Sequence, residues 1–563
     1  MHLIPMVKEL LPLEGHLEST AFRPVYAGGD PRLEKALKKL PLAPQGTPLV
    51  LTVGTEDDES YILTVEPCRI HIEAPGPAGA FYGIQTLRQL MKEDRVPCLV
   101  IRDEPDFPYR GFYHDATRGR IATVERVKAL VDDMARFKMN SLQLYVEHVF
   151  EFRETEAITG STGCYTRAEL EEIGAYCREN FIDFVPSLST FGHMHDILNQ
   201  PQYRHLRVLS NYEPDPNRWS DRMAHHTIDP RNPESIGLVR SLIDQYAPCF
   251  ESDWFNICCD ETFDLKHCTD NPAETGRLYV DFVKQIVTHT QSLGKKVMMW
   301  ADILLEHPET IGELPDDVMF LNWYYHKDAE QMERMISTLA NLGCKQIVCP
   351  GTTTWNRFCE KYETEVPNIL GMIRLGHKYG AEGVLNTNWG DWGNPCSLEL
   401  GMFGMVLGAA ASWNVTTEND EAFHSAVNAL LYGSSNGMEV LQRVSHIQNK
   451  IQWKSFIRCV FGEDTPWLEQ EALLQIQEEY RKLTALLENQ TWENDAYRQA
   501  FLLAAEAVCV VAERGTRDRL TDLECFLARY RQSWTRDNKE SELNKLEDAF
   551  RWETTGIIPC WEK

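Results

Sequence analysis

The sequence predicts an α/β protein built on a (β/α)8 TIM barrel, with a small α/β domain before the barrel and a helical domain after it. In residues 106–417, eight short apolar runs alternate with amphipathic stretches or long loops. Residues 1–105 combine strand-like runs with one helical run, and strand signals nearly vanish in residues 418–563. Strands that alternate with helices are typical of parallel sheets, and eight such units fit a closed barrel.

The N-terminal region, residues 1–105, is predicted to form a small domain of its own. Strand-like runs occupy residues 48–54, 61–65 and 68–73, and the last of them alternates apolar and polar side chains. Residues 80–91 place Phe81, Ile84, Leu87 and Leu90 at helical spacing. We therefore expect a sheet covered by one helix.

The barrel region, residues 106–417, supplies the eight predicted strands. They occupy residues 111–115, 141–146, 182–188, 254–259, 296–300, 318–324, 346–349 and 383–388. Amphipathic helices are predicted at 123–138, 166–180, 273–293 and 328–342. Residues 192–227 are rich in His, Pro, Asn and Arg and are too long for an ordinary connection, which indicates a functional loop.

The C-terminal region, residues 418–563, reads as helices with interleaved charges. They are predicted at 440–456, 468–489, 495–512, 520–536 and 539–554. A helical bundle that packs on the barrel is the favoured interpretation. A dimerisation face, and with it a homodimer, is the alternative.

Composition narrows the possible partners. The 56 Lys+Arg against 84 Asp+Glu give a formal charge of -28. Nucleic acid and anionic membranes need basic surface, so we predict no nucleic-acid and no membrane partner. No apolar run approaches the roughly 18 residues that a membrane span needs.

The cysteines and the N-terminus indicate the compartment. The 16 Cys are scattered, without a CxxC pair or the spacing of a zinc site. The first ten residues lack the basic and apolar regions of a signal peptide. We therefore predict a cytoplasmic protein with reduced thiols, no metal and no cofactor.

Two adjacent acids, Asp260 and Glu261, follow the fourth apolar run directly. Acids at the carboxyl end of a barrel strand lie where such barrels carry their chemistry. The alternative is that Asp260 caps a helix and that Glu261 is a solvated acid of its first turn.

Polar and aromatic side chains follow the other predicted strands. Because the carboxyl ends of barrel strands meet at one face, we expect a shared pocket. Aromatic walls with scattered acids and amides suit a sugar, whose C–H faces stack on indole and whose hydroxyls need planar polar partners. The residues concerned are His193, Trp300, Trp323, Tyr324, Tyr325, Trp355, Asn356, Trp389 and Asp391, with Arg110 just before the first strand.

An adjacent acid pair is not the usual arrangement around a glycosidic bond. Neighbouring side chains of a strand point to opposite faces, whereas glycosidases with an enzyme nucleophile hold two carboxyls about 5 Å apart. A 2-acetamido sugar offers another route, because its own amide oxygen attacks C1. That route needs one acid donor and one carboxylate near the amide N–H, which fits Asp260 and Glu261.

Several segments together resemble glycoside hydrolase family 20, the β-N-acetylhexosaminidases. Asp260-Glu261 at a strand end is similar to the catalytic pair of that family. Residues 80–89 look like the helix of its small N-terminal domain, residues 109–115 like its first barrel strand, and residues 191–193 like its Pro-Gly-His turn. Trp300-Ala-Asp302, Trp323 and Trp389 match its aromatic walls. The resemblance covers about residues 45–415.

Two segments depart from the family pattern. Residues 256–261 read Asn-Ile-Cys-Cys-Asp-Glu where the family has His-x-Gly-Gly-Asp-Glu. The Tyr-x-Asp of its seventh strand, whose tyrosine holds the acetamido oxygen, is absent from residues 346–358. Tyr324 or Tyr325, or a site remodelled by Trp355 and Asn356, is expected to replace it.

The resemblance implies a function and roles for these residues. The chain is expected to be an exo-acting enzyme that removes terminal β-linked GlcNAc or GalNAc with retention, through an oxazolinium intermediate. Glu261 would be the general acid and then the base, with a raised pKa. Asp260 would orient the acetamido group, and Arg110 and Asp391 would bind ring hydroxyls. Trp300, Trp323 and Trp389 would enclose the sugar.

Other interpretations remain open at this stage. Asp391 could be a nucleophile acting on sugars without an acetamido group, or the barrel could bind glycans without turnover. Glu147, His148, His193 and His195 could be read as a metal site, although their spacing matches no known motif. A reactive thiol at Cys258-Cys259 is disfavoured, because both fall inside the predicted strand.

Overall fold

The structure, a computed structural model, describes residues 1–93, 95–213, 219–224, 226–460, 470–514 and 519–551. A small α/β domain comes first, a closed barrel of eight parallel strands follows, and helices make up the rest. The predicted fold class, a (β/α)8 barrel between a small α/β domain and a helical domain, is confirmed.

The small domain is a six-stranded sheet with the spatial order β1-β6-β4-β5-β3-β2. Helix α2 packs on β4 and β5, and eleven of its 14 residues are buried. The elements are β1 (Glu9–His16), β2 (Phe22–Val25), α1 (Pro31–Leu37), β3 (Thr47–Val53), β4 (Tyr61–Glu66), β5 (Arg69–Ala74), α2 (Pro77–Leu90) and β6 (Pro97–Asp103).

The barrel closes because its last strand pairs with its first. Its interior is filled by large side chains such as Tyr113, Tyr145, Trp300 and Trp389, so that it is a packed core and not a pore. The strands are β7 (Tyr109–Asp115), β8 (Ser141–Val146), β9 (Asp183–Leu188), β10 (Trp254–Asn256), β11 (Lys296–Trp300), β12 (Met319–Trp323), β13 (Gln346–Cys349) and β14 (Gly383–Asn388).

Helices connect the strands and cover the outside of the barrel. Two of them begin at threonine caps: the Thr123 hydroxyl accepts from the backbone N–H of Arg126, and Thr166 forms a capping box with Glu169. The helices are α3 (Val124–Arg136), α4 (Glu156–Thr162), α5 (Arg167–Glu179), α6 (His195–Leu198), α7 (Trp219–Ala224), α8 (Ser235–Tyr246), α9 (Pro272–Ser292), α10 (Asp302–Glu306), α11 (Ala329–Asn341), α12 (Tyr362–Lys378) and α13 (Met402–Trp413).

The C-terminal helices pack on the loops at the carboxyl end of the barrel. The Arg120 guanidinium, just beyond β7, donates to the Tyr530 hydroxyl, and the Trp453 indole N–H donates to the carbonyl of Trp392. This domain therefore borders the face that carries the candidate site. Its helices are α14 (Glu421–Val427), α15 (Gly437–Gln448), α16 (Trp453–Val460), α17 (Gln470–Glu488), α18 (Asp495–Ala512), α19 (Leu523–Asp537) and α20 (Leu543–Arg551).

Most predicted elements are present, and the differences have local causes. The fourth barrel strand ends at Asn256 and not at Cys259, because Cys258 and Cys259 have φ of 57° and 69°, which no strand permits. The helix predicted at 440–456 is two helices, α15 and α16. Strands β1, β2 and β6 and helix α1 were not predicted. Parts of two predicted helices, residues 468–469 and 552–554, lie outside the described residues.

Within the described part of the chain, no helix combines the length and the apolar character that crossing a membrane requires.

Candidate active site

The acid pair Asp260 and Glu261 lies in the turn that follows β10. Both carboxylates converge on one imidazole: His193 Nε2 is 3.3 Å from Asp260 Oδ2 and 3.3 Å from Glu261 Oε2. In a regular strand, adjacent side chains would diverge. Here the left-handed backbone of Cys258, Cys259 and Glu261, which has φ 46°, breaks the strand geometry, and both acids face His193.

Glycine at position 192 allows the loop after β9 to approach this turn. A Cβ atom at Gly192 would lie 2.3 Å from the carbonyl oxygen of Asp260, so any other residue would push the two segments apart. The next residue, His193, has φ 54° and donates its backbone N–H to His226 Nδ1 at 2.8 Å. The two imidazole rings stack with centroids 4.4 Å apart. His226 therefore fixes the position of His193.

His193 and Glu261 perturb each other's proton affinity. Burial alone would lower the pKa of His193, but the charge of Asp260 and hydrogen bonds to Asp260 and Glu261 raise it to about 10. Burial would raise the pKa of Glu261, but the hydrogen bond and charge of His193 and the charge of Arg118 lower it below its usual value. The predicted raised pKa of Glu261 is therefore wrong, because a cation-rich environment outweighs desolvation.

The proton on His193 is constrained from the other side of the ring. Arg118 Nη2 lies 3.1 Å from His193 Nδ1, and a guanidinium can only donate. This contact favours a ring protonated on Nε2 alone, whereas the raised pKa favours the doubly protonated form. Both forms carry a hydrogen on Nε2, the nitrogen that faces the two carboxylates.

Asp302, the first residue of α10, supports the acid pair. Its Oδ2 accepts the backbone N–H of Glu261 at 2.9 Å. Burial, and next the charge of Asp260, raise the pKa of Asp302 to about 8. Both causes favour the protonated form of Asp302 over the charged form.

Arg118 is the arginine that contacts the residues of this site, and it was not among the residues predicted from the sequence. Its guanidinium donates to Glu147 Oε1 at 3.2 Å and to Asp391 Oδ1 at 2.8 Å, and it lies over the Trp389 ring at 5.1 Å. Arg118 follows the carboxyl end of β7 by three residues. The available signal was its position after the strand, since the barrel face carrying the chemistry is the carboxyl end.

Arg110, predicted to bind sugar hydroxyls, does not reach the site. It is the second residue of β7, so about 17 Å of extended strand separates it from the carboxyl end. Its guanidinium is fully buried and donates to Glu59 of the small domain at 2.6 Å and to the carbonyl of Lys138 at 2.9 Å. Arg110 therefore joins the small domain to the barrel, and the prediction is wrong.

Aromatic side chains line the barrel interior beneath the acid pair. Trp300 is fully buried, with its ring 5.9 Å from that of Trp389. Trp323 stacks on Tyr325 with centroids 5.0 Å apart, and Tyr325 contacts Trp355 at 5.0 Å. The structure thus brings the five predicted aromatic residues Trp300, Trp323, Tyr325, Trp355 and Trp389 into one cluster.

Tyr324 and Tyr325 lie on opposite sides of the barrel wall. The Tyr325 hydroxyl accepts the Trp389 indole N–H at 2.7 Å, and burial raises its pKa strongly, with a smaller contribution from the charge of Asp260. Tyr324 instead contacts His326 and the outer core. Tyr324 is therefore not a pocket residue, because consecutive side chains alternate across a strand end. Asn356, with φ 61°, has a buried Oδ1 without a partner among the described residues.

The structure does not favour the interpretation of Glu147, His148, His193 and His195 as a metal site. Glu147 and His148 gather with Asp196, and His193 gathers with Asp260 and Glu261, so the four residues considered fall into separate groups. The guanidinium of Arg222 already lies 3.3 Å from Glu147 and 3.4 Å from Asp196. A divalent cation there would meet a fixed positive charge.

The thiols beside the acid pair are not activated. Cys258 is fully buried, and burial raises its pKa to about 12. Cys259 is 1% exposed, and burial raises its pKa well above the usual value. A nucleophilic cysteine needs a lowered pKa and access, and neither residue has them.

Comparison with known proteins decides the family. Residues 107–421 match the sequence model described as "Glycosyl hydrolase family 20, catalytic domain", which is more than half of the chain. Residues 2–104 match "Glycosyl hydrolase family 20, domain 2". The chain belongs to glycosyl hydrolase family 20. The family 20 catalytic match contains all eight barrel strands and every site residue described above.

Relatives of this family 20 chain are distant. A β-hexosaminidase of Vibrio furnissii is 24% identical over 391 residues, 60% of this chain and 59% of that protein. One of Akkermansia muciniphila is 30% identical over 234 residues, 37% of this chain and 46% of that protein. The chain thus spans about half the length of these relatives. The solved structure of Streptomyces plicatus N-acetyl-β-hexosaminidase in complex with Thio-NAglucal has a TM-score of 0.60 at 20% identity, covering 76% of this chain and 95% of that one.

Proposed function

We propose that this family 20 chain is an exo-acting β-N-acetylhexosaminidase that removes terminal β-linked GlcNAc or GalNAc by retaining, substrate-assisted catalysis. The observation that carries the proposal is the state of Asp260. Its Oδ2 is held by His193, while its Oδ1 is buried and has no hydrogen-bond partner among the described residues. A buried acceptor without a donor is costly, and a substrate N–H would satisfy it. The curated relatives are themselves β-hexosaminidases.

The two acids take different roles because their surroundings differ. The side chain of Asp260 is 9% exposed and that of Glu261 is 28% exposed. Asp260, the more enclosed, orients the acetamido N–H and stabilises the oxazolinium charge. Glu261, open to the pocket, protonates the leaving oxygen and later activates water. Since its pKa is lowered, Glu261 must take up its proton as the sugar excludes water from it.

The acetamido group would lie against the aromatic cluster. Trp300 and Trp389 supply apolar walls for its methyl group, and the indole N–H of Trp300 is buried without a partner in the described structure. Tyr325 replaces the missing tyrosine of the seventh strand, since its hydroxyl is fixed by Trp389 and senses the charge of Asp260. Trp323 and Trp355 extend the wall on either side of Tyr325.

The ring hydroxyls would be bound by Asp391 and Arg118. Asp391 is 16% exposed and its Oδ1 is held by Arg118, which leaves an acceptor fixed beside a donor. Adjacent hydroxyls of a sugar need such a pair. We assign Asp391 to substrate binding and not to nucleophilic attack, because its ion pair with Arg118 makes the carboxylate a weaker nucleophile.

The deciding experiment measures nitrophenol release from the aryl β-N-acetylglucosaminide and from the matching β-glucoside, with and without a thiazoline mimic of the cyclised intermediate. Turnover of the acetamido sugar alone, blocked by the thiazoline, is the expected result. Turnover of the plain glucoside would move the nucleophile onto the protein. Silence on both, with tight thiazoline binding, would favour a barrel that binds glycans without turnover.

A further inference from the structure

A chain of buried charges leads from the candidate site to the helical domain. Arg118 pairs with Glu147 at 3.2 Å, Glu147 pairs with Arg222 at 3.3 Å, and Arg222 pairs with Glu542 at 3.2 Å. The exposed fractions of these four side chains are 5%, 3%, 7% and 12% in that order. Burial keeps water and salt from screening the interactions, so each charge depends on its neighbours.

The members of this chain come from three separate parts of the protein. Arg118 and Glu147 follow barrel strands β7 and β8, Arg222 lies on α7 in the long loop after β9, and Glu542 immediately precedes α20. Glu542 also accepts the indole N–H of Trp219 on α7 at 3.1 Å. Glu542 therefore holds α7 by two contacts, one charged and one neutral.

Arg222 is the branching point of the network. Besides Glu147 and Glu542, its guanidinium donates to the carbonyl of Thr117 at 3.3 Å and lies 3.4 Å from Asp196. Asp196 in turn faces His148 at 3.4 Å. If Glu542 loses its charge, the carboxylates that remain beside Arg222 are those of Glu147 and Asp196. Arg222 would then shift toward Glu147 and compete with Arg118 for it.

We propose that Glu542 of the helical domain is a positioning residue for sugar binding: through Arg222 and Glu147 it sets the place of Arg118, which the substrate contacts. The inference rests on the proposed function, because that function makes Arg118 a ligand of the ring hydroxyls. The helical domain then takes part in sugar binding, because its Glu542 fixes α7 in the loop after β9. Without this domain, the contacts that position Arg118 would be incomplete.

The test compares Glu542→Gln with Glu547→Gln in the full chain. Glu547 lies on α20 itself and pairs with Arg531 of α19, so its loss breaks an ion pair of the same domain, one for which the described residues show no barrel partner. We expect Glu542→Gln to raise KM for the aryl β-N-acetylglucosaminide, and Ki for the thiazoline, about tenfold, since small displacements of a positioned group cost that much or more. Glu547→Gln is expected to leave both within about twofold.

A double variant tests the route of the effect. If Glu542 acts through Arg222, then Glu542→Gln combined with Arg222→Gln raises KM no further than Arg222→Gln alone, because the two substitutions break the same connection. If the KM of the double variant rises by the product of the two single effects, the proposed route through Arg222 is overturned. Equal effects of Glu542→Gln and Glu547→Gln would also overturn it, since any weakening of the helical domain would then suffice.

Two further outcomes keep the inference separate from the proposed function. A wild-type chain that neither turns over acetamido sugars nor binds the thiazoline overturns both. An active wild type with an unchanged Glu542→Gln overturns only the role of Glu542. If Glu542→Gln does not fold, Glu542→Asp serves, because it keeps the charge but withdraws it from Arg222. A raised KM then supports the inference, and an unchanged KM overturns it.

Discussion

Single residues decide the chemistry of this site through the protons they hold. His193 contacts both acids of the pair with one nitrogen, so the proton affinities of His193 and Glu261 depend on each other. The buried Oδ1 of Asp260 and the more open side chain of Glu261 give the two acids different surroundings, and the proposed division of roles rests on that difference. An adjacent pair of acids is suited to a substrate that brings its own nucleophile.

Glu261→Gln is the first test at this scale. The amide keeps the shape but cannot donate a proton to the leaving oxygen, so kcat/KM for a GlcNAc disaccharide should fall by about 10²–10⁴. For a dinitrophenyl leaving group, which departs without protonation, kcat/KM should fall far less. Steady-state rates on the two substrates give the comparison. An equal loss on both would assign Glu261 to binding.

Arg118→Lys and Arg110→Lys form a matched pair. Lysine offers a point charge and cannot join Glu147 and Asp391 at once, so Arg118→Lys should raise KM by about 10- to 100-fold, the cost of about 1.5–3 kcal/mol for a charged hydrogen bond. Arg110→Lys breaks contacts between the small domain and the barrel, and it should lower the melting temperature while KM stays the same. A raised KM for Arg110→Lys and an unchanged KM for Arg118→Lys would place Arg110, and not Arg118, in the sugar-binding site.

The two arginines also show what the sequence can and cannot settle at residue scale. Asp260 and Glu261 were found because they directly follow a predicted strand, and His193 and Asp391 because they stand a few residues beyond one. Arg110 was chosen by proximity to the first strand, but it stands at the wrong end of it. Arg118 lies in a loop, and its pairing with Glu147 and Asp391 joins residues far apart in the chain, which periodicity does not report.

At the scale of elements, the loop after β9 and the turn after β10 must approach each other closely. Gly192 makes this possible, since its missing side chain leaves room for the carbonyl of Asp260. The strands themselves were predictable, because β8, β11, β13 and β14 have the bounds that apolar runs indicate. The end of β10 was not, because the left-handed conformation of Cys258 and Cys259 is imposed by tertiary contacts and leaves no mark on hydrophobicity.

Gly192→Ala tests the close approach. The added Cβ would lie 2.3 Å from a backbone oxygen, which cannot rotate away, so the acid turn must move. We expect kcat to fall by about 10²-fold and stability by about 1–3 kcal/mol. The control is Gly237→Ala on α8, where the new Cβ has no atom within 4 Å. That change should leave kcat unaltered. If Gly192→Ala also left kcat unaltered, position 192 would not need to be glycine for the two segments to approach each other.

At the scale of the whole molecule, acidic groups dominate and some of them are buried. The formal charge is -28, yet Glu360 and Glu365 are 1% and 0% exposed. Burial, and for Glu365 next the charge of Glu360, raise the pKa of both carboxyls well above the usual value. Glu365 lies on α12 and Glu360 just before it, and the backbone N–H of Gly404 on α13 donates to Glu360 at 3.2 Å. A shared proton allows such a pair to remain buried.

This pair gives stability a pH dependence of defined sign. A carboxyl whose pKa is higher in the folded state than in the unfolded state binds protons more tightly when folded. Its contribution to stability is therefore complete below the unfolded pKa, 4.5 in the case of Glu365, and is lost as the pH rises toward the folded pKa. Glu365→Gln removes this loss, because the amide is always neutral and can donate to Glu360. At pH 8 the free energy of unfolding should rise by about 1–3 kcal/mol.

Urea unfolding at pH 5 and pH 8 measures the difference. Glu363→Gln, two residues away on the same helix, removes the same charge from an exposed side chain and should change stability by less than about 0.5 kcal/mol at either pH. Glu365→Gln should gain more at pH 8 than at pH 5, because the wild-type pair is closer to full protonation at pH 5. An equal gain at both would mean that packing, and not the shared proton, sets the stability of this contact.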